Sequence, residues 1–250
     1  MTAAVIKLCG IRTPADARLC AEAGATELGV VFAPGSKRRV TPEEARAIRA
    51  AIPAGLPLIG VFQDASLASL QAALGAVGLT ALQLHGALPG GLASLGVPLH
   101  RALQVSDDFP QLSDDFIDGG IVIEPGGAAS PRFARLLLDG PQGGSGRPFA
   151  WERLPSFRAR LSAARAVPLH LAGGLRADNV AAAIALVRPD GVDVSSGIEG
   201  PDGFKDPARV RAFVAAARAA FSAASRSSEH SEPSEPSEPS EDLESSNIRE

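Results

Sequence analysis

The 250-residue chain contains few of the residues that build disulfide scaffolds, metal centres or membrane spans. It has two cysteines, Cys9 and Cys20, and four histidines, and their number and spacing suit neither a disulfide framework nor a metal site. No apolar run approaches the ~20 residues that a membrane helix needs, and no charged-then-apolar leader begins the chain. These absences predict a protein of the reducing cytoplasm that binds neither a metal nor a membrane.

The chain also lacks a basic stripe with interleaved aromatic residues, the usual mark of a nucleic-acid-binding surface. Its net charge is −4, but residues 223–250 hold eight of the 28 acidic residues and only two of the 24 basic ones. The rest of the chain has 20 acidic and 22 basic residues and is nearly neutral. We therefore expect a near-neutral domain that does not bind nucleic acid, followed by an acidic tail.

The tail repeats Ser-Glu-Pro three times between Ser231 and Pro239 and is poor in apolar residues. Such a segment cannot bury enough surface to offset the entropy lost on ordering, so residues 223–250 are predicted to be disordered. The tail is either a partner-binding or solubilising segment or a tolerated extension. The folded domain is predicted to span residues 1–222, long enough for one large α/β domain.

Strand-like and helix-like segments alternate along this domain. The strands are short and rich in valine, leucine and isoleucine, as in parallel sheets that are buried on both faces. Eight βα units in about 220 residues, without a hairpin signal, predict a closed (β/α)8 barrel, the TIM barrel of the α/β class. The predicted strands are residues 5–9, 27–32, 57–62, 81–84, 99–104, 134–138, 168–172 and 191–194.

Three helix starts pair a capping side chain with proline at the first helical position: Thr13-Pro14, Thr41-Pro42 and Asp206-Pro207. Glu44 completes a capping box with Thr41. Apolar residues at helical spacing predict helices over 16–23, 42–51, 67–76, 177–186 and 207–221. Residues 107–132 are less regular. They are interpreted as a helix over 107–117 and an insertion, which could also contain a ninth strand.

The alternation of side chains along a strand places Lys7 and Cys9 on one face of the first strand and Asp193 and Ser195 on one face of the eighth. The first and eighth strands are neighbours in a closed barrel. A Lys7–Asp193 pair inside the barrel, one layer below Cys9, is therefore predicted, and its simplest role is structural.

Two residues at strand ends could move protons. Cys9 precedes Gly10, which lets the backbone turn away behind the thiol. A thiol near cationic groups is partly ionised and can act as a base, whereas a buried apolar cysteine is inert. Asp139 follows three leucines, where desolvation would raise its pKa and suit it to general acid catalysis. The alternative for Asp139 is a capping role in the next turn.

Other strand ends carry polar or glycine-rich segments that suit a phosphorylated ligand. Gly173-Gly174 and Ser195-Ser196-Gly197 follow the seventh and eighth strands, the usual phosphate site of this fold, although simple turns would look the same. Ser36-Lys37-Arg38-Arg39 after the second strand forms a basic loop at the same rim or a solvated charge run. Gln83 and His85 share a face of the fourth strand and either bind substrate or support the structure. The only three lysines are Lys7, Lys37 and Lys205, all within these segments or their surroundings.

Taken in order, the segments resemble phosphoribosylanthranilate isomerase, a barrel enzyme of tryptophan biosynthesis. The resemblance extends from about Val5 to Phe221, and the order of the motifs is more specific than any one of them. The matching segments are Lys-Leu-Cys-Gly-Ile (7–11), Gly-Val-Val-Phe-Ala-Pro-Gly-Ser-Lys-Arg (29–38), Gly-Val-Phe (60–62), Gln-Leu-His-Gly (83–86), Leu-Leu-Leu-Asp (136–139), Gly-Gly-Ser-Gly (143–146), Leu-Ala-Gly-Gly-Leu (171–175), Asn-Val (179–180), Val-Asp-Val-Ser-Ser-Gly-Ile-Glu (192–199) and 203–206.

The resemblance implies an Amadori rearrangement of a phosphorylated aminoaldose to an aminoketose. Cys9 would be the catalytic base, with a pKa lowered by the basic rim, and Asp139 the catalytic acid. It implies a phosphorylated small-molecule substrate, no cofactor, and a monomer or homodimer. The other implied contacts are Arg38, Gln83, His85, Gly144 and Gly146 for the substrate, and Gly173, Gly174, Ser195, Ser196 and Gly197 for its phosphate.

Two features depart from the family pattern, and three other functions compete with it. Arg39 stands where an aromatic residue is common, and residues 121–132 are longer than expected. Ribulose-phosphate epimerase would need a metal-type set of histidines and aspartates, and indole-glycerol-phosphate synthase would need strand-end lysines beyond Lys7. A non-catalytic barrel that binds a phosphorylated sugar would have no need for Cys9 and Asp139 together.

Overall fold

Eight parallel strands close into a barrel in the computed structural model, which describes residues 4–104, 133–140, 151, 154 and 168–229. Each strand pairs with the next along the chain, and the eighth pairs with the first. The predicted (β/α)8 barrel is therefore confirmed. The strands are β1 Val5–Leu8, β2 Glu27–Val31, β3 Leu58–Gln63, β4 Ala81–His85, β5 Leu99–Gln104, β6 Phe133–Asp139, β7 Leu169–Leu171 and β8 Gly191–Val194.

The described helices surround this sheet and begin where the caps predict. The Thr13 hydroxyl accepts a hydrogen bond from the Asp16 backbone, and Thr41 and Glu44 form the predicted capping box. A single 3₁₀ turn, Leu92–Leu95, links β4 to β5. The predicted helix over 107–117 and the insertion up to 132 lie outside the described residues. The helices are α1 Pro14–Glu22, α2 Pro42–Ala50, α3 Leu67–Val77, α4 Val180–Val187 and α5 Pro207–Glu229.

Helix α5 continues to Glu229, so the predicted helix end at Phe221 is wrong. Phe221 and Ala224 both pack against the hydrophobic core. The boundary predicted at Ser222 thus falls inside a helix whose next turn still contacts the barrel. The disorder predicted for residues 223–229 is therefore wrong, whereas residues 230–250 lie outside the described part of the chain and disorder there stays a prediction. Within the described ranges, no helix combines the length and apolar character needed to cross a bilayer.

The hydrophobic core lies between the strands and the helices, where Leu8, Leu28, Leu136 and Phe213 are fully buried. Each strand is covered by helices on its outer face and faces the barrel interior on the other. Both faces are therefore buried, which explains the continuous apolar sequences of the strands.

The inside of the barrel is polar by comparison. Lys7 pairs with Asp193 at 2.5 Å, and the two are partners in the β1–β8 register, as predicted. Buried Glu27 and partly buried Arg135 form a second pair with two hydrogen bonds of 2.6 and 2.9 Å.

Candidate active site

A cavity of about 640 Å³ lies at the carboxyl ends of the strands, a size that suits a small-molecule ligand. Side chains from the ends of all eight strands line it, because inward-facing positions of a barrel converge at this rim. The structure brings together nine of the predicted site residues. They are Cys9, Arg38, Gln83, His85, Asp139, Gly173, Gly174, Ser195 and Ser196. Gly144 and Gly146 lie outside the described residues.

Cys9 directly follows β1 and is fixed there by its backbone, which donates a 2.8 Å hydrogen bond to the Val194 carbonyl. Gly10 then turns the chain with φ +73°, in the left-handed region that favours glycine. Gly29 on β2 makes room for the thiol, since a Cβ there would lie 2.7 Å from Cys9 Sγ and 3.1 Å from Lys7 Cε. The Cys9 sulfur and the Lys7 stem are thus close neighbours inside the barrel.

The electrostatics of Cys9 differ from the prediction. Burial raises the pKa of the thiol above its ordinary value of 9.0, although the charges of Lys7 and Lys205 act in the opposite direction. The prediction that a basic rim lowers this pKa is therefore wrong for the protein without substrate. Two lysines do face the thiol, but the cost of desolvating a thiolate in an apolar surrounding is larger.

Asp139 ends β6 on the far side of the same cavity. Burial, reinforced by the negative charge of Asp193, raises its pKa to about 6, in the direction that the sequence predicted. One carboxylate oxygen accepts a 2.8 Å hydrogen bond from the Gly140 backbone, which also fixes the following turn. Gly173 packs directly against Gly140, and a Cβ there would lie 3.2 Å from Asp139 Oδ1. The acid is thus held by its own turn and by the turn after β7.

A hydrogen-bonded chain connects buried Lys7 with side chains that line the cavity. Lys7 Nζ donates to Asp193 and, at 2.7 Å, to Gln83 Oε1. The Gln83 amide lies 3.0 Å from His85 Nε2, which must accept because the amide nitrogen is a donor. Burial, together with the positive charges of Lys7 and Arg101, lowers the pKa of His85 to about 4. His85 is therefore neutral at pH 7 and presents its other nitrogen as a hydrogen-bond donor.

Arg38 lies at the rim but is buried and paired, so it does not belong to a solvated charge run, whereas Lys37 and Arg39 are exposed. Its guanidinium donates two hydrogen bonds to Glu199, of 2.5 and 2.9 Å. Lys205 Nζ donates to the same carboxylate and to the Ser195 carbonyl, each at 3.1 Å. The ordered motifs of the sequence predicted Arg38 as a site residue but did not predict Glu199. The available signal for Glu199 was its position at the end of the Val-Asp-Val-Ser-Ser-Gly-Ile-Glu segment.

The turns after β7 and β8, which the sequence predicted to bind the phosphate, contain two glycines with positive φ and a short 3₁₀ helix. Gly173 and Gly174 have φ values of +85° and +68°, and the Asn179 side chain holds the Gly174 carbonyl at 3.0 Å. After β8, Ser196 begins a short 3₁₀ helix. Gly197 does not line the cavity, and a Cβ there would overlap the carbonyl oxygen of Leu175. A glycine is therefore needed at this position because a side chain would collide with the turn after β7.

Two further glutamines line the cavity and were not predicted as site residues. Gln63 and Gln104 line the cavity from the ends of β3 and β5, and their inward position on a strand end was the available signal. In the described part of the chain, no group of three or more histidine, cysteine, aspartate or glutamate residues is placed to hold a metal ion.

Comparisons with known proteins agree on one family. A family model described as "N-(5'phosphoribosyl)anthranilate (PRA) isomerase" matches residues 6–216. N-(5′-phosphoribosyl)anthranilate isomerase of Deinococcus radiodurans is 40% identical over 214 residues, covering 85% of this chain and 96% of the relative. The isomerase of Paracoccus denitrificans is also 40% identical, covering 86% of this chain and 97% of that protein.

Solved structures show the same similarity at the level of the fold. Phosphoribosyl anthranilate isomerase from Thermotoga maritima superposes with a TM-score of 0.70 at 32% identity, covering 86% of this chain and 99% of the other. A phosphoribosyl anthranilate isomerase in complex with reduced 1-(o-carboxyphenylamino)-1-deoxyribulose 5-phosphate gives a TM-score of 0.68 at 30% identity, covering 86% and 99%.

Proposed function

Because the chain belongs to the N-(5′-phosphoribosyl)anthranilate isomerase family and is an isomerase of tryptophan biosynthesis, we propose that Cys9 and Asp139 carry out its reaction. The reaction is the Amadori rearrangement of N-(5′-phosphoribosyl)anthranilate to the corresponding 1-deoxyribulose 5-phosphate. The observation that carries the assignment is that one thiol and one carboxyl line a single cavity, together with residues of the turns after β7 and β8. The family match also decides against the epimerase and the synthase.

Asp139 is the general acid in this proposal. It donates a proton to the ribose ring oxygen while the bond from that oxygen to C1′ breaks. The amine nitrogen supplies the electron pair, and a protonated Schiff base forms. A pKa of about 6 keeps a fraction of the carboxyl protonated near neutral pH and makes it a stronger proton donor than water.

Cys9 is the general base. Its thiolate removes the proton from C2′, and the electrons of that bond move toward the Schiff base to give an enolamine. The enolamine then tautomerises to the ketone. Its enol hydroxyl loses a proton, and C1′ gains one. Asp139 has given one proton and Cys9 has taken one, so exchange with solvent restores both groups.

Lys7 and Lys205 support the thiolate by charge. Both lie close enough to Cys9 to act against the effect of burial on its pKa. Lys7 cannot serve as the base itself. Its pairing with Asp193 and the nearby thiol outweigh the effect of burial and raise its pKa, so it stays an ammonium ion at neutral pH.

The substrate phosphate is assigned to the turns after β7 and β8, where Gly173, Gly174, Ser195 and Ser196 line the cavity. Backbone N–H groups in such turns form an anion-binding concavity. Replacing Gly174 with valine is expected to strain the left-handed turn and block the approach of the phosphate, raising KM strongly. Steady-state kinetics on the folded variant test this, and an unchanged KM would move the phosphate elsewhere.

The remaining polar groups of the rim complete the substrate site. Arg38 is assigned to the anthranilate carboxylate, and Gln83 and neutral His85 to hydroxyl groups of the sugar. The protein is proposed to work in the cytoplasm as a monomer or homodimer. One similar structure is described as monomers of the dimeric isomerase from Thermotoga maritima, at 31% identity and a TM-score of 0.68.

The direct test is a fluorescence assay with purified protein, since the substrate fluoresces and its consumption is seen as loss of signal. Turnover by the parent protein and its loss in both Cys9→Ser and Asp139→Asn are expected. Tight binding of the phosphorylated sugar without turnover would refute the catalytic assignment.

A further inference from the structure

Arg38 and Glu199 form a two-pronged ion pair across the rim of the cavity. Arg38 Nε donates to Oε1 at 2.5 Å and Nη2 to Oε2 at 2.9 Å, and both side chains are buried. Two parallel hydrogen bonds fix the plane of a guanidinium as well as its position. Arg38 is thus held in one orientation before any ligand arrives.

The carboxylate that holds Arg38 is itself anchored from several sides. Lys205 Nζ donates to Glu199 Oε1 and Arg209 donates to the Glu199 main-chain carbonyl, at 3.1 and 2.6 Å. Burial would raise the pKa of Glu199, but the hydrogen bonds from Arg38 and the charge of Lys205 outweigh it and lower that pKa. Glu199 therefore remains a carboxylate at neutral pH.

The stem of Arg38 is fixed against the turn behind the catalytic thiol. A Cβ at Gly10 would lie 2.5 Å from Arg38 Cδ and 2.7 Å from Ser195 Oγ, so only glycine leaves room for this path. The arginine thus spans from the loop after β2, past the end of β1, to the segment after β8. Its position is tied to that of Cys9 and to the turn assigned to the phosphate.

One edge of the guanidinium remains available. Arg38 lines the cavity, and its Nη1 makes no hydrogen bond within the described chain. We propose that Glu199 is a positioning residue that fixes Arg38 so that this edge selects substrates carrying a carboxylate on the aromatic amine. The inference rests on the proposed function and assigns to Glu199 the selection of one substrate over its decarboxylated counterpart.

The experiment compares two substrates that differ only in that carboxylate: the phosphoribosyl derivatives of anthranilate and of aniline. The kcat/KM of each is measured by chromatography of the product for the parent protein and for Glu199→Gln. The amide cannot accept two hydrogen bonds from Arg38, so the preference for the anthranilate compound should fall about ten-fold or more. The rate with the aniline compound should change much less.

Glu27→Gln is the matched control. It removes one carboxylate from another Arg–Glu pair, the partly buried one with Arg135, which is also held by two hydrogen bonds but does not line this cavity. A substitution that only disturbs the structure of the protein lowers the rates with both substrates together. Glu27→Gln is therefore expected to keep the parent's preference, whatever it does to the absolute rates.

The outcomes separate this inference from the proposed function. Equal losses on both substrates in a folded Glu199→Gln variant would overturn the positioning role, and so would a parent protein without preference for the carboxylate. A parent protein that isomerises neither substrate refutes the proposed function instead. If Glu199→Gln does not fold, Glu199→Asp is used, because the shorter side chain keeps the charge but retracts the carboxylate; an unchanged preference there also overturns the inference.

Discussion

The two catalytic groups are expected to produce a bell-shaped pH dependence in which Asp139 sets the acid limb and Cys9 the alkaline limb. The reactive form requires Asp139 protonated and Cys9 ionised. The pKa of Asp139 is about 6, whereas burial raises the pKa of Cys9 above 9.0. The resting protein at neutral pH therefore holds mostly a carboxylate and a thiol, and the reactive form is its minor proton tautomer.

Because burial raises the pKa of Cys9 while that of Asp139 is about 6, the reactive form is the minority form between the two pKa values, and its share there is nearly independent of pH. Below pH 6 both groups become protonated and the rate falls. Above the pKa of Cys9 both groups lose their protons, Asp139 has none to give, and the rate falls again.

The assay is kcat/KM from about pH 5 to 10 for the parent protein and for Asp139→Asn, since this parameter reports the groups of the free enzyme and substrate. The variant is expected to be at least about 10²-fold slower and to lose the limb near pH 6, with its residual rate rising through the pKa of Cys9. Alkylation by iodoacetamide, read by mass spectrometry, gives the Cys9 pKa separately from that of Cys20, which burial raises to about 12.

Two results would refute this reasoning. The second pKa of a phosphate is also about 6, so a limb near pH 6 that persists in Asp139→Asn belongs to the substrate. A Cys9 alkylation midpoint below the ordinary thiol value of 9.0 would show that the lysines outweigh burial and that more of the thiolate is present at rest.

Other perturbations test the remaining assignments. Cys9→Ser should lower kcat by about 10²-fold or more while affinity for a product analogue is kept, because serine is too weak an acid to ionise; normal turnover would make Cys9 a core residue. Lys7→Met should lower the free energy of unfolding, measured by chemical denaturation, by about 3–5 kcal/mol because it leaves Asp193 unpaired. The double variant Lys7→Met with Asp193→Asn should recover part of this loss, and no recovery would contradict the pairing. Deleting residues 230–250 should not change Tm. Deleting residues 223–250 removes the packing of Ala224 and should lower Tm by about 2–4 °C for each kcal/mol of unfolding free energy lost. Equal Tm values for the two deletions would show that the last turns of α5 do not stabilise the protein.

The sequence by itself determined the barrel and the outline of its site. Strand burial, helix caps and proline positions are local properties, so the order of β and α segments follows from short stretches such as Thr41 to Glu44. Once the strands are in order, side-chain parity places Cys9, Asp139 and Gln83 at one rim, and it also predicts the Lys7–Asp193 pair. The same local logic explains the family resemblance that the comparisons confirm.

Only the tertiary structure decided how these groups are tuned and held. The partner of Arg38 is Glu199, 161 residues further along the chain, and no local pattern pairs them. The raised pKa of Cys9 depends on how far burial outweighs two nearby lysines, and α5 passes Phe221 because its next turn still finds core to pack on. Desolvation and packing energies depend on neighbours that come from the whole fold. The sequence therefore shows which residue types are present, but it does not show whether burial or nearby charge decides the pKa of a given group.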